Sequence, residues 1–220
     1  MSDTVLHPPI TATASSLERV EQVIHLIATT CVDNEAYFCD LDSVAGDGDF
    51  GFSLARGFEN VLEAWDDYPR TDVAIFIQKV AMTMASRIGG SSGPIWGTAF
   101  KRAAGAARGK TDLTGADVIE MLRAAIAGIQ ARGGASVGEK TLLDALVPFT
   151  DALDEQLTAG ADGATAFGAA VAAAQQGAEA TTSMVARRGR ASYTGERSIG
   201  SPDPGAVAVA LLVEIIHSRW

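Results

Sequence analysis

Three aspartates lie close together in the segment CDLDSVAGDGDFG, at positions 42, 47 and 49. Hard divalent cations prefer oxygen ligands, and Mg²⁺ is typically held by a few carboxylates while water and substrate phosphate complete its coordination. Carboxylates gathered in one short turn repel one another unless a cation neutralises them. The spacing of Asp42, Asp47 and Asp49 therefore predicts a magnesium site that also binds phosphate. A solvated Asp/Gly turn before the next helix is the alternative explanation of these residues.

Two well-known loop motifs do not explain this segment. GDGDFG has the G-x-G-x-x-G spacing of a dinucleotide-binding turn, but that motif follows a strand and presents bare backbone N–H groups to the pyrophosphate. Here a helical pattern precedes it, and Asp47 and Asp49 would repel a phosphate. An EF-hand loop counted from Asp40 has Val44 at its fifth position and Gly51 at its twelfth, where a bidentate Glu belongs. Both motifs are therefore rejected.

Two further segments carry groups that bind phosphate. GGSSGPIWGTAF offers the hydroxyls of Ser91 and Ser92 ahead of Pro94, a residue type favoured at the start of a helix. ARRGRASYTGERSIGSPDPG concentrates arginines in an otherwise acidic chain, and guanidinium groups bind phosphate oxygens in pairs and stabilise charge during phosphoryl transfer. We expect both segments to face phosphate; an ordinary helix connection and a surface charge run are the alternatives. The arginines are Arg187, Arg188, Arg190 and Arg197.

The segment GGASVGEKT narrowly misses the P-loop pattern, because Glu139 stands before Lys140 as an extra residue. A true P-loop also follows a strand, whereas this segment follows the helical pattern MLRAAIAGIQAR. We do not interpret it as a P-loop. Its glycines, Gly133 and Gly134, could still lie flat against a base or a ribose.

Helical patterns surround these four segments. Ser15 and Glu18 have capping-box spacing, and an apolar stripe at helical intervals follows them. Alanine, the best helix former, dominates the second half of the chain, and alternating β-branched runs with hairpin turns are absent. The sequence predicts an all-α, compact antiparallel array of eight helices with short connections. The predicted helical segments are 15–30, 52–68, 71–89, 94–109, 115–133, 140–160, 162–184 and 203–220.

Composition excludes several classes of function. A net charge of −10 argues against a general nucleic-acid binder, which needs a cationic surface. No apolar run of about 18 residues predicts a membrane span, and the first residues lack a signal-peptide pattern, so we expect a cytoplasmic protein. We expect residues 1–14 to be a flexible leader and residues 15–220 a single domain, with Cys31 and Cys39 reduced. The three histidines form no zinc motif, and the chain has no G-x-S-x-G elbow.

Four motifs together carry a family resemblance. LDSVAGDGDFGFSLARGF, GGSSGPIWGTAF, GGASVGEKTLLDALVP and GRASYTGERSIGSPDPGA, in this order, resemble the signature set of the L-type, nucleotide-binding (DhaL-like) subunit of dihydroxyacetone kinases, from about Ser15 onward. The resemblance implies an eight-helix antiparallel barrel whose loops at one end hold ADP or ATP through two Mg²⁺ ions.

The resemblance also implies which residues form the site. Asp42, Asp47 and Asp49 match the metal-binding aspartates, and Arg190 matches a nucleotide contact to which we also assign the catalytic role. Family members often have His or Cys where this chain has Phe50. The full set of implied nucleotide contacts is Phe50, Gly51, Phe52, Ser53, Ser91, Ser92, Gly133, Leu142, Arg190, Asp203, Pro204 and Gly205.

The resemblance implies a kinase of several subunits. Dihydroxyacetone is held by a separate K-type subunit in the family, and the length of this chain predicts that such a partner is required. Either ATP exchanges freely, or a phosphocarrier protein of the phosphotransferase system rephosphorylates bound ADP. The oligomeric state of the chain itself is left open, and a homodimer is one alternative. A non-catalytic regulatory module, and the same chemistry on another short ketose such as erythrulose, are the alternatives.

Overall fold

The computed structural model describes residue 10 and residues 14–87 and 92–220. These ranges contain nine α-helices, three short 3₁₀ helices and no strand, so the all-α prediction is confirmed. The α-helices are α1 (Ser16–Asp33), α2 (Glu35–Ser43), α3 (Phe50–Glu63), α4 (Val73–Arg87), α5 (Ser92–Ala106), α6 (Gly115–Gly133), α7 (Leu143–Thr158), α8 (Gly163–Ala180) and α9 (Pro204–Arg219). The 3₁₀ helices are Trp65–Asp67, Thr181–Ser183 and Arg190–Ser198, the last of which is interrupted by a kink at Gly195.

Side-chain caps determine where several helices begin. Ser15 and Glu18 form the predicted capping box of α1, and Thr114 with Asp117 forms a second one at α6. Asp162 and Asp203 accept backbone N–H bonds in the first turns of α8 and α9. The largest shift of a helix start from its prediction is at α7, which begins at Leu143, three residues after Lys140. Lys140 has a left-handed φ of 60° that a right-handed helix does not allow.

Eight of the helices form a closed ring. Each helix from α3 to α8 packs against the next one, α9 packs against α1, and α1 packs against α3. The predicted antiparallel barrel of eight helices is therefore confirmed. The prediction missed α2, which packs against α3 outside the ring and buries only Phe38, too little to produce an apolar stripe in the sequence.

Small residues let the helices of the second half approach closely. Four alanines of α8, at 166, 170, 174 and 178, are buried at intervals of one turn. A Cβ atom on Gly177 would lie 2.1 Å from the backbone oxygen of Asp144, so α8 meets the first turn of α7 with no room for a side chain. Within the described ranges, no helix is long and apolar enough to cross a membrane.

The antiparallel order brings the connections that carry the motifs to one end of the barrel. This motif end contains α2 and residues 44–49, the α6–α7 connection (134–142) and the α8–α9 connection (181–203). At the opposite end, Ser16 Oγ accepts a hydrogen bond from Leu113 N–H, and Ile10 N–H donates to the carbonyl of Arg219 at 2.7 Å. The α4–α5 connection, residues 88–91, and most of the predicted leader lie outside the described residues.

Candidate functional site

The three aspartates converge at the motif end. Asp42 lies in the last turn of α2, Asp47 in the following turn, and Asp49 at the N-cap position of α3. Each residue has a carboxylate oxygen that lies within 4.8 Å of an oxygen from the other two. The helices α2 and α3 therefore hold three acidic groups, separated by up to seven positions in sequence, within the reach of one cation.

Two glycines allow the turn between α2 and α3. Gly46 N–H donates to the backbone oxygen of Asp42 at 2.6 Å, and a Cβ on Gly46 would lie 2.1 Å from Asp42 Oδ1. Gly48 has a φ of 76°, which residues with a Cβ rarely adopt. The turn thus keeps the space beside the Asp42 carboxylate open.

The environment of Asp42 favours a cation. Burial raises the pKa of the Asp42 carboxyl, and the nearby carboxylates of Asp47 and Asp49 raise it further, while a hydrogen bond from Phe50 N–H to Asp42 Oδ2 at 3.3 Å opposes the shift. A carboxyl with a raised pKa holds its negative charge at an energetic cost, and a bound cation removes that cost.

Arg190 supplies one positive charge to this cluster. Its Nη1 atom lies 2.6 Å from Asp47 Oδ2 and 2.6 Å from Asp49 Oδ2. Hydrogen bonds to Asp49 and Asp47 raise the pKa of the Arg190 guanidinium, so it remains charged. Three ionised carboxylates and one guanidinium leave two negative charges, and the all-oxygen donor set with this excess charge fits a divalent cation such as Mg²⁺.

A second arginine of the same segment, Arg188, forms an ion pair with an acidic residue of the chain. Arg188 pairs with Glu139 through two contacts, Nε to Oε2 at 2.8 Å and Nη2 to Oε1 at 3.0 Å. This pairing lowers the pKa of Glu139, and the N–H of Ser136 contributes to the same shift. Of the predicted arginines, Arg190 therefore reaches the aspartates, whereas Arg188 joins the α8–α9 connection to the α6–α7 connection.

A second group of predicted residues gathers where α7 and α9 begin. Gly205 packs against Leu142, since a Cβ on Gly205 would lie 3.3 Å from Leu142 Cβ. Asp203 is partly buried, accepts Ala206 N–H at 2.8 Å and donates its own N–H to Thr181 Oγ1 at 2.8 Å. Pro204 is the first residue of α9, a position where the backbone N–H that proline lacks would have no partner within the helix.

The carboxyl group of Asp203 has an altered affinity for protons. Burial raises its pKa to about 7, the charge of Asp144 adds to the rise, and the N–H of Ala206 and the charge of Lys140 oppose it. Asp203 therefore changes its charge near neutral pH.

The backbone N–H groups at the start of α3 mostly have partners inside the protein. Phe50 N–H donates to Asp42, Phe52 N–H donates to Cys39 Sγ at 3.2 Å, and Ser53 N–H donates to the Asp49 carbonyl at 2.8 Å. Gly51 is buried against α2. Half of the Phe52 side chain is exposed at the surface of the motif end.

Comparison with known proteins agrees with this architecture. Residues 44–218 match the family model described as the DAK2 domain. The chain belongs to the DAK2 domain family. It is 37% identical over 205 residues to "PEP-dependent dihydroxyacetone kinase, ADP-binding subunit DhaL" of Escherichia coli, covering 91% of this chain and 97% of that subunit. It is 38% identical over 184 residues to "PTS-dependent dihydroxyacetone kinase, ADP-binding subunit DhaL" of Lactococcus lactis, covering 84% and 88% respectively.

A solved structure has the same fold as this DAK2 domain. The dihydroxyacetone kinase from C. freundii, in complex with AMP-PNP and Mg²⁺, matches with a TM-score of 0.75 and 26% identity. The match covers all of this chain and 36% of that one, so the DAK2 domain corresponds to about a third of the longer kinase.

The remaining predicted contacts that the structure describes lie at the ends of α5 and α6. Ser92 is the first residue of α5, and Ser91 lies outside the described residues. Gly133 is the last residue of α6, where a Cβ would lie 3.1 Å from Ile95 Cδ1. The adjoining ends of α5 and α6 thus bring Ser92 and Gly133 to the motif end.

Sequence reasoning missed two buried polar residues of this DAK2 domain. Lys140 is 3% exposed, and its Nζ donates to the backbone oxygens of Thr181, Ser198 and Ser201. Asp144 is 2% exposed and accepts the N–H groups of Gly138 and Thr141. The three-residue spacing from Thr141 to Asp144 is typical of a local side-chain to backbone bond and could have indicated Asp144. Lys140 had no comparable sequence signal, because its acceptors are backbone carbonyls.

Proposed function

We propose that this DAK2 domain binds ADP or ATP with Mg²⁺ and supplies a phosphoryl group to dihydroxyacetone held on a separate K-type subunit. The observation that carries the proposal is the convergence of Asp42, Asp47 and Asp49 within 4.8 Å beside the Arg190 guanidinium. The names of the DhaL relatives support the nucleotide and the reaction, and the solved relative with AMP-PNP and Mg²⁺ supports the cofactors.

In this proposal the three aspartates hold the metal, and two Mg²⁺ ions accompany each nucleotide. When bound, Mg²⁺ would neutralise phosphate charge and orient the phosphate chain. The acidic cluster would otherwise repel a nucleotide, so nucleotide binding should depend strictly on the divalent cation.

The nucleotide would lie across the motif end. The residues that we propose as contacts are Phe50, Gly51, Phe52, Ser53, Ser91, Ser92, Gly133, Leu142, Arg190, Asp203, Pro204 and Gly205. Gly205 lies beside Leu142, and Gly133 lies beside Ile95. These two pairs form small or apolar surfaces that are suited to contact the flat faces of a nucleoside. The hydrogen bonds already made by the N–H groups of Phe50 and Phe52 argue that these two residues contribute contact surface rather than phosphate donors.

Arg190 is the proposed catalytic residue. In the reaction, the bond from the terminal phosphorus to the bridging oxygen of the nucleotide breaks as a bond to the acceptor hydroxyl oxygen forms, and the hydroxyl proton passes to a base on the partner subunit. Negative charge spreads over the transferred group and the leaving oxygen. The guanidinium beside Asp47 and Asp49 is suited to bind this charge, because it is already held at the cluster where the phosphates would be anchored.

The proposal includes the partners of the chain. A K-type subunit would dock at the motif end, and the names of the "PEP-dependent" and "PTS-dependent" relatives favour a phosphocarrier protein that rephosphorylates bound ADP. We further propose that residues 15–220 act as one domain in the cytoplasm. A homodimer is compatible with this arrangement but no contact of the described residues requires it.

A reconstituted assay tests the function. The protein is combined with a K-type subunit, dihydroxyacetone and Mg²⁺, and dihydroxyacetone phosphate is measured with ATP or with a phosphorylated carrier protein as donor. We expect product with one of the donors and a much lower rate of product formation with the Asp47→Ala variant. The absence of product with both donors, while the protein still binds Mg²⁺ and ADP, would favour a regulatory module instead. Native mass spectrometry should show a mass excess that corresponds to ADP and two Mg²⁺ ions.

A further inference from the structure

Hydrogen bonds join the residues on the two sides of the segment that carries Arg190. We call this junction, formed by residues 181–186 and 198–201, the base of the segment. Residues 186 and 198 are joined by a hydrogen bond from Ala186 N–H to Ser198 Oγ at 2.9 Å. Gly200 N–H donates to the Thr182 carbonyl at 2.8 Å. The stretch between these bonds, residues 187–197, reaches out to the aspartates through Arg190 and returns to its starting point.

Lys140 lies at this base and contacts residues on both sides of the segment. Its Nζ donates to the carbonyl of Thr181 at 2.8 Å, before the segment, and to the carbonyl of Ser198 at 2.8 Å, after it. A third bond goes to the carbonyl of Ser201. Three acceptors use all three protons of the ammonium group, which compensates for the loss of hydration of a side chain that is only 3% exposed.

The backbone at Lys140 supports a specific role for this side chain. Among the described residues, Lys140 is the one non-glycine residue with a positive φ, at 60°. Such a conformation is unfavourable for a residue with a Cβ and persists where the surroundings hold it. The neighbouring Glu139 binds Arg188 of the same segment through two contacts, so consecutive residues of the α6–α7 connection hold the base and the beginning of the segment.

We propose that Lys140 is a positioning residue for Arg190. Its ammonium group links Thr181, which precedes the 187–197 segment, and Ser198 and Ser201, which follow it, to the α6–α7 connection. These bonds fix the position from which Arg190 reaches Asp47 and Asp49. The inference rests on the proposed function, because it assigns Lys140 a part in phosphoryl transfer through the role proposed for Arg190. Lys140 itself touches neither the aspartates nor, in this proposal, the phosphates.

A double-mutant cycle separates this role from general structural support. The transfer rate with a K-type subunit and the affinity for ADP with Mg²⁺ are measured for Lys140→Met, Arg190→Ala and the double variant. We expect Lys140→Met to lower the rate about tenfold or more, with a change in ADP affinity of less than about threefold. If Lys140 acts through Arg190, the double variant should be no slower than Arg190→Ala alone. Losses that multiply in the double variant would overturn the inference.

Limited proteolysis gives a readout that does not depend on activity. Trypsin cleaves after Arg187, Arg188, Arg190 and Arg197, and mass spectrometry measures each cleavage rate. We expect Lys140→Met to accelerate cleavage in this segment several-fold, while the exposed substitution Lys79→Met on α4 leaves it unchanged. Cleavage at the wild-type rate in Lys140→Met would contradict the proposal.

A further variant, Ser198→Ala, tests the inference if Lys140→Met does not fold. Ser198→Ala removes the acceptor of Ala186 N–H at the same base and leaves Lys140 in place. We expect a smaller acceleration of cleavage and a smaller loss of rate, again without an additive effect in the Arg190→Ala background. Additive losses would count against the inference.

The outcomes also separate this inference from the proposed function. A slow Arg190→Ala variant together with a Lys140→Met variant that transfers at the wild-type rate would overturn the positioning role alone. An Arg190→Ala variant with the wild-type rate would overturn the catalytic role of Arg190, and the positioning role with it.

Discussion

Arg190 Nη1 lies 2.6 Å from Asp47 Oδ2, although 143 positions separate the two residues in the sequence. Their contact joins the turn between α2 and α3 to the connection between α8 and α9. Both side chains are about half exposed, so the ion pair contributes little to stability, and its importance lies in where it holds the guanidinium.

The first prediction concerns Arg190. We expect Arg190→Ala to reduce the transfer rate by roughly a hundredfold or more, because a positioned arginine stabilises charge mainly in the transition state. The affinity for ADP with Mg²⁺ should change much less. Stopped-flow or quenched-flow transfer kinetics, together with calorimetric binding, measure the two effects. The matched control is Arg197→Ala, an exposed arginine of the same segment beyond the kink at Gly195. Equal losses of rate and affinity in Arg190→Ala would refute the assignment.

The second prediction concerns the metal. Asp47→Ala removes one carboxylate of the cluster, and we expect the Mg²⁺-dependent affinity for ADP to fall about tenfold or more, which corresponds to about 1.4 kcal/mol. The helical content should not change, because Asp47 lies between helices. Calorimetric titration with Mg²⁺ and ADP provides the measurement. Asp40→Asn, an exposed acid on α2 outside the cluster, is the control, and wild-type affinity in Asp47→Ala would exclude the metal role.

The third prediction concerns the contact between α2 and α3. A Cβ on Gly51 would lie 2.1 Å from the Glu35 carbonyl oxygen and 2.6 Å from Cys39 N, and backbone atoms cannot move aside without shifting α2. We expect Gly51→Ala to destabilise the protein by about 2 kcal/mol or more and to weaken Mg²⁺ binding.

Gly105→Ala is the matched control for this experiment. Gly105 is an exposed residue within α5, and a Cβ there would meet no atom within 4 Å. Alanine favours the helix, so this variant should be stabilised by about 0.5–1 kcal/mol. Urea denaturation midpoints compare the stabilities of the two variants. Similar midpoints would show that α2 shifts to accommodate the added methyl group at little cost in stability.

The fourth prediction concerns pH. The pKa of Asp203 is raised to about 7 in the folded state, above an unfolded value of about 3.9. Between these two values the folded state binds more protons than the unfolded state, so the contribution of Asp203 to stability falls as the pH rises and levels off above about pH 7. Asp203→Asn removes this dependence.

Denaturation at about pH 5 and about pH 8 tests the sign. We expect the stability of the wild type relative to Asp203→Asn to decrease by roughly 1–3 kcal/mol between these values. Asp162→Asn at the start of α8 is the control. Hydrogen bonds from Thr165 lower the pKa of Asp162, so its ionisation lies below this range and the difference from wild type should stay constant. An increase in the relative stability of the wild type with pH would contradict the raised pKa of Asp203.

Local signals in the sequence were sufficient to predict the eight helices of the ring, whereas its closure into a barrel was implied by the family resemblance. The capping box of Ser15 and Glu18 and the alanine-rich patterns depend only on neighbouring residues. Helix α2 lacked such a signal, since Phe38 is its one buried residue and most of its surface faces solvent or α3. A short helix that packs on one side of a ring leaves no periodic pattern to detect.

The candidate site was predictable in part for a related reason. Asp42, Asp47 and Asp49 lie within one short segment, so their convergence could be expected from spacing alone. The contacts of Lys140 could not, because its acceptors are carbonyl groups 41 to 61 positions away, and a carbonyl is present at every residue. The roles assigned to individual site residues stay predictions until the variants are measured.

Ile10 and Arg219 lie at the end of the barrel that does not carry the aspartates. The hydrogen bond between Ile10 and Arg219 brings the beginning and the end of the described chain together, opposite the aspartates. A linker attached after Trp220 would therefore begin at the end of the barrel opposite the aspartates. It would not obstruct a partner that binds at the motif end. This geometry allows the same unit to work either as a free subunit or as a module fused to a larger enzyme.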